Sequence, residues 1–115
     1  MPPVKDEHAA PIDRAGALER IGGDAAFLDE LLDLYDQEYS DKARALASAI
    51  EAGNADLVRT LGHGLKGSSA NLSLPALRQA AADLEAAGRA GDLASAREAL
   101  RRLEEAYRAL KAFLD

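Results

Sequence analysis

The sequence has 115 residues, enough for one domain with its own core, contains no cysteine and carries a formal net charge of −6. Those facts exclude disulfide stapling, zinc–thiolate sites and thiol catalysis, and they argue against nucleic-acid binding, which needs a basic face. His8 and His63 are the only histidines, nothing resembling H-E-x-x-H surrounds them, and no apolar run approaches the roughly 18 residues of a membrane span.

Residues 1–11 hold three of the four prolines and no apolar periodicity, so they read as a flexible arm. The start lacks the apolar segment of a secretory signal, and Met1 with its polar arm favours a complete, soluble, cytoplasmic protein. Asp13 is placed to cap a short helix carrying Ala17, Leu18 and Ile21, which stops at Gly22 and Gly23. Asp24 caps the next segment, where Phe27, Leu28, Leu31, Leu32, Tyr35, Tyr39, Ala43, Leu46 and Ile50 keep one helical phase. Ser40-Asp41 offers a second start, so residues 24–52 fit either one helix or two meeting at a kink.

Gly53 is a stop and Asn54 a cap for a helix running to about Leu72. Ser73, with Pro75 shortly inside, marks the next start, and Leu77, Ala80, Ala81, Leu84 and Ala87 form its apolar stripe. Gly88 to Asp92 reads as a short connection, and Asp92 caps a last helix carrying Leu93, Ala96, Leu100, Leu103, Tyr107, Leu110 and Leu114. Abundant alanine and leucine with few β-branched residues favour helix throughout, and short connections make consecutive helices antiparallel neighbours. The expected fold is all-α: residues 12–115 as an antiparallel up-down-up-down four-helix bundle with a short additional N-terminal helix.

The chemistry lies in Leu61-Gly62-His63-Gly64-Leu65-Lys66-Gly67-Ser68-Ser69-Ala70-Asn71-Leu72. Three glycines inside one helix cost on the order of 3 kcal/mol of intrinsic propensity relative to alanine, so something here needs side chains to be missing. At about 100° per residue, Leu57, Leu61, Leu65, Ser68 and Leu72 fall on one side and His63 nearly opposite, with Lys66, Gly67 and Ala70 beside it. A free imidazole has a pKa of about 6.5, so an outward one can serve as a nucleophile at neutral pH, and a lysine one turn away can pair with negative charge acquired there. Gly67 leaves room for a phosphoryl group and an incoming active site. No carboxylate cluster adjoins His63 to bind Mg²⁺, so the chain needs no cofactor of its own and a partner would bring the metal.

His63-Gly64-Leu65-Lys66-Gly67-Ser68-Ser69-Ala70-Asn71-Leu72 resembles the H-x-L-K-G-S-S-x-N-L signature of histidine phosphotransfer (HPt) domains. Gly22-Gly23-Asp24, Ala52-Gly53-Asn54 and Leu84-Glu85 fit the same family, over about residues 12–113. Gly62 stands where the family usually has alanine, and Ser73 where it often has glycine. The resemblance implies that His63 becomes a phosphohistidine, on the outer face of a four-helix bundle. It implies Lys66 for phosphoryl stabilisation and Gly67 for access; Gly64 and Ala70 border the partner surface. Glu85 matches a polar site that faces the histidine from the next helix in some members. The implied partners are response-regulator receiver domains and a sensor or hybrid histidine kinase, in two-component signal transduction.

The implied role is a phosphorelay intermediate, a phosphocarrier rather than an enzyme, since no chain remains for an ATP-binding domain. The rival from another class is a non-phosphorylated helical adaptor that binds a receiver domain or kinase; the intact His63, Lys66 and Gly67 favour the carrier. A P-loop is excluded because Lys66 precedes Gly67 and no strand leads into the glycines. Ser68 reads as a small core-facing residue and His8 as an ordinary surface residue; Arg59 and Arg89 read as plain surface residues ahead of the alternative that they add positive potential near a phosphoryl group, and Glu85 as either a solvated charge or a partner of the histidine ring.

Overall fold

Five helices, and no strand, make up residues 10–115, the part of the chain described by this computed structural model. His8 and all but the last two residues of the expected arm lie outside the described residues. The helices are α1 (Arg14–Arg20), α2 (Ala25–Glu51), α3 (Ala55–Asn71), α4 (Pro75–Ala90) and α5 (Leu93–Leu114). None of them is long and apolar enough to cross a membrane.

Four of the helix starts follow from local side-chain chemistry. The side-chain oxygens of Asp13, Asp24, Asn54 and Asp92 accept from the backbone N–H three residues on, at 3.1, 3.0, 3.1 and 3.0 Å. Each satisfies one of the amides that a helix leaves unpaired at its start. Asp92 also accepts from the Ser95 hydroxyl at 2.7 Å, and these bonds hold its carboxyl below the ordinary range. Residues 25–51 form one uninterrupted helix, so Ser40-Asp41 starts nothing new.

Ser73 is not the cap of α4. It sits just past the end of α3 with φ +57°, its N–H donating to the Ala70 carbonyl at 3.1 Å while Leu74 N–H donates to Ser69 at 2.9 Å. That is a Schellman turn, the same turn that Gly22, Gly53 and Gly91 make at the ends of α1, α2 and α4. Ser73 therefore occupies a backbone position that favours glycine. The N-cap of α4 is Leu74, which makes no side-chain cap bond, with Pro75 in the first turn.

A second correction concerns Gly88. It does not open the connection: α4 continues to Ala90, leaving only Gly91 and Asp92 between α4 and α5. Gly88 faces α3, where an added Cβ would lie 2.7 Å from the Ala55 carbonyl and closer still to the Arg59 amide.

The core gathers Leu28, Leu46, Val58, Leu65, Leu74, Leu77, Leu84 and Leu103, all fully buried. Helix α3 packs between α2 and α4, and α5 closes against both α4 and α2, with Tyr39 stacked on Tyr107 at 3.8 Å. Three residues of the expected stripes are instead exposed: Phe27 (43 %), Leu57 (39 %) and Leu114 (39 %). Phe27 lies in the first turn of α2, where Leu28 takes the inward position, and Leu114 is the last residue of α5.

In α3 the buried residues are Val58, Gly62, Leu65 and Ser69, with Leu72 at its end, so the inward face is turned by about one residue from the leucine stripe. The reason is size. Two inward positions carry small residues because neighbouring groups already fill the space: the backbone of Glu85 at Gly62 and the Tyr35 hydroxyl, 2.8 Å from Ser69 Oγ.

Candidate functional site

His63 lies on α3 with its side chain 68 % exposed. Its Nδ1 is 2.9 Å from Oε2 of Glu85, which comes from α4 and is only 8 % exposed. The other carboxylate oxygen, Oε1, pairs with Lys66 Nζ at 2.5 Å, and Arg89, one turn further along α4, places Nη2 3.2 Å from Oε2. One nearly buried carboxylate thus gathers the histidine and two cations. With a neutral imidazole the four side chains sum to one positive charge, a favourable setting for an incoming anion.

The hydrogen bond from Lys66 is the largest influence on Glu85 and the bond from His63 the next; together they outweigh burial and hold its carboxyl down at about 2. Glu85 is therefore ionised at neutral pH and can only accept. In the neutral ring Nδ1 of His63 must then carry the proton of that bond, which leaves the Nε2 lone pair free. The carboxylate selects the tautomer, as the buried aspartate does for the histidine of a hydrolase triad.

Backbone contact between α3 and α4 brings Glu85 to the ring. A Cβ on Gly62 would lie 2.7 Å from the Glu85 amide nitrogen and 3.0 Å from the Ala81 carbonyl oxygen, and Gly88 meets α3 in the same way from the opposite side. The two helices approach until each helix's glycine faces the other's backbone. That closeness buries Glu85 beside an imidazole that itself stays exposed.

The other two glycines of α3 have different surroundings. A Cβ on Gly67 would meet nothing within 4 Å, so the face beside His63 is open. A Cβ on Gly64 would lie 2.6 Å from Nζ of Lys42, a residue of α2. Ala70 is half-buried, one turn beyond Lys66.

Ser68 is not the core-facing serine. It is half-buried, and its hydroxyl donates to Glu38 of α2 at 3.1 Å and to the Gly64 carbonyl at 3.1 Å. The core position belongs to Ser69, which is fully buried, and burial pushes the phenol of its partner Tyr35 well above the ordinary range. Arg59 pairs with Asp56 of its own helix at 3.1 Å, as a surface arginine would. Arg89, expected to be equally ordinary, belongs to the Glu85 cluster. The structure brings His63, Lys66 and Glu85 together and leaves Gly67 open beside them. The parts that sequence reasoning misses are Arg89, Gly62, Gly88, Glu38 and Lys42. Two of them carry a weak signal, since Glu85–Arg89 and Glu38–Lys42 are both spaced i,i+4.

The family model of the Hpt domain matches residues 30–113, well over half of the chain. No curated protein and no solved structure matches it.

Proposed function

Since the chain belongs to the Hpt domain family, whose members act in phosphorelays between kinases and receiver domains, we propose that His63 is its phosphoryl acceptor. The four long helices are then the family's antiparallel up-down-up-down bundle, carried by residues 12–115, and α3 presents the acceptor on its outer face. The single observation that carries this reading is the exposed imidazole whose Nδ1 is held by the ionised Glu85, leaving Nε2 as the nucleophile.

The step is a direct exchange. The Nε2 lone pair attacks the phosphorus of a receiver's aspartyl phosphate, the P–O bond to the carboxyl breaks, and the receiver's carboxylate leaves with that electron pair. The Nδ1 proton stays where it is, so the ring becomes a phosphoimidazolium whose positive charge faces the Glu85 carboxylate. Charge balances: a dianionic acyl phosphate and a neutral ring become a monoanionic carboxylate and a phosphohistidine of net −1. The same contact serves the return, because a protonated ring is the better leaving group when a response-regulator aspartate attacks phosphorus.

Lys66, bound to Glu85 before phosphorylation, lies one turn from His63 and within reach of the phosphoryl oxygens. Arg89 keeps Glu85 paired if Lys66 turns toward the phosphoryl group. Gly67 leaves the receiver's loops free access to Nε2. The partner supplies the Mg²⁺ that neutralises the transferring group, and a sensor or hybrid histidine kinase is the alternative donor. The chain acts as a carrier in the cytoplasm and has no ATP site of its own.

The alternative, a helical adaptor that docks on a receiver domain without being phosphorylated, leaves the Glu85–His63 bond without a purpose. Incubation with a labelled, phosphorylated receiver domain separates the two. The carrier takes up acid-labile, base-stable label, and His63→Gln abolishes uptake with helical circular dichroism and melting nearly intact, because an exposed side chain contributes little to stability. Label persisting in the folded variant, or no label on the parent protein with any receiver, excludes His63 as acceptor.

A further inference from the structure

Helix α3 is flanked on its other side by α2, and there a second lysine lies against it at Gly64. Lys42 Nζ pairs with Glu38 Oε2 at 2.7 Å, and both side chains are about one-third exposed, at 31 and 30 %. The same Glu38 oxygen accepts from the Ser68 hydroxyl of α3 at 3.1 Å, which ties the pair to the acceptor helix. The ammonium rests against the backbone at Gly64, the residue following His63, where a Cβ would come within 2.6 Å of it. Two carboxylate-held lysines therefore flank the acceptor helix, Lys66 with Glu85 on the α4 side and Lys42 with Glu38 beside Gly64 on the α2 side.

The mid-helix glycine that α3 tolerates at position 64 leaves out the one atom that would push this ammonium away. We infer that Lys42 is a second cation for the phosphoryl group in transit, seated beside Gly64, the residue after His63, where a side chain is missing. The inference rests on His63 as acceptor. It adds that the phosphoryl oxygens meet positive charge from both flanks, Lys66 before Gly67 on the chain and Lys42 across the groove from α2. The acidic active site of a receiver, bringing its phosphoryl group over α3, is the complementary surface.

The test measures phosphoryl uptake from a phosphorylated receiver domain by the parent protein, Lys42→Gln, Lys42→Arg, Gly64→Ala and the double variant Lys42→Gln/Gly64→Ala, each at low and high salt. Lys42→Gln is expected to slow transfer about fivefold at low salt, and less at high salt where exposed charges are screened. Lys42→Arg should restore most of the rate. Gly64→Ala should slow transfer with unchanged or higher melting temperature, because alanine is the better helix former. In the Lys42→Gln background it should add nothing, since the group it displaces is already gone.

A Lys42→Gln rate and salt dependence equal to the parent's overturn the inference. So does a Gly64→Ala penalty that persists undiminished in the double variant, which would assign Gly64 to clearance for the partner alone. These outcomes are read on protein that takes label at His63, so they leave the acceptor assignment standing; loss of that assignment shows instead as label surviving His63→Gln.

Discussion

Gly62 and Gly67 lie on the same helix, and their missing side chains serve opposite ends. At Gly62 the space is filled by the backbone of α4, and at Gly67 it is empty. The first glycine belongs to a seam in which Gly62 and Gly88 let α3 and α4 meet backbone to backbone, and that seam carries Glu85 to the imidazole. The second belongs to an open face that the folded chain does not use. A glycine in mid-helix costs about 1 kcal/mol against alanine wherever it stands. At the seam close packing recovers that cost; on the open face nothing within the molecule does, as the proposed access for a partner would require.

Substitution should therefore act with opposite signs in the two regions. The largest effect is expected from Gly88→Ala, whose Cβ would collide with α3 backbone that has no rotamer to escape into. Overpacking of this kind costs about 2 kcal/mol, so the melting temperature should fall by roughly 8 °C. Uptake of label should fall too, as Glu85 is drawn away from the ring. A Gly88→Ala protein that melts like its parent would mean the seam has slack and does not fix Glu85.

Next in size is Gly67→Gln. Melting should be preserved or raised, by up to about 1 kcal/mol of stability, while transfer slows if the new side chain stands where the proposed receiver docks. Early melting would move Gly67 into the packed region; normal transfer would place the docking surface elsewhere.

The third prediction concerns the carboxylate that joins the two regions. Glu85 has its carboxyl lowered from 4.5 to about 2 in the folded chain. A depressed carboxyl contributes stability that is present above pH 4.5 and is lost as the pH falls toward 2. Melting temperatures of the parent and Glu85→Gln, followed from pH 6 down to 2, should differ most at the upper end and draw together between 4.5 and 2. Parallel curves over that window would mean that the Lys66 and His63 contacts do not stabilise the ionised form.

Much of this molecule is legible in its sequence where the chemistry is local. Asp13, Asp24, Asn54 and Asp92 are caps because a side chain three residues from an amide suffices to make one, and no tertiary information is needed. The outward direction of His63 follows from helical phase alone. What is not legible depends on what a neighbour brings. Ser73 has the residue type of a cap, yet its place after α3 gives it the left-handed turn of a glycine.

Leu57 outranks Gly62 and Ser69 in hydrophobicity, but the inward space on α3 is occupied by the Glu85 backbone and the Tyr35 hydroxyl, so the small residues are buried and the leucine is left outside. Gly88 looks like a helix stop, because a glycine needed for close approach and one needed for a turn are the same letter. Lys42 and Glu38 lie more than twenty residues from the acceptor motif, and only the packing of α2 on α3 makes them neighbours of Gly64 and Ser68.

The assignment of Glu85 as the residue that orients the acceptor is tested most directly by nitrogen-15 NMR of the His63 ring before and after phosphorylation. Before, His63 should be the Nδ1–H tautomer; after, phosphorus should be coupled to Nε2, with Nδ1 still protonated. Glu85→Gln should weaken that preference for the Nδ1–H form. An Nε2–H ring in the parent protein, or a phosphoryl group attached to Nδ1, would contradict it.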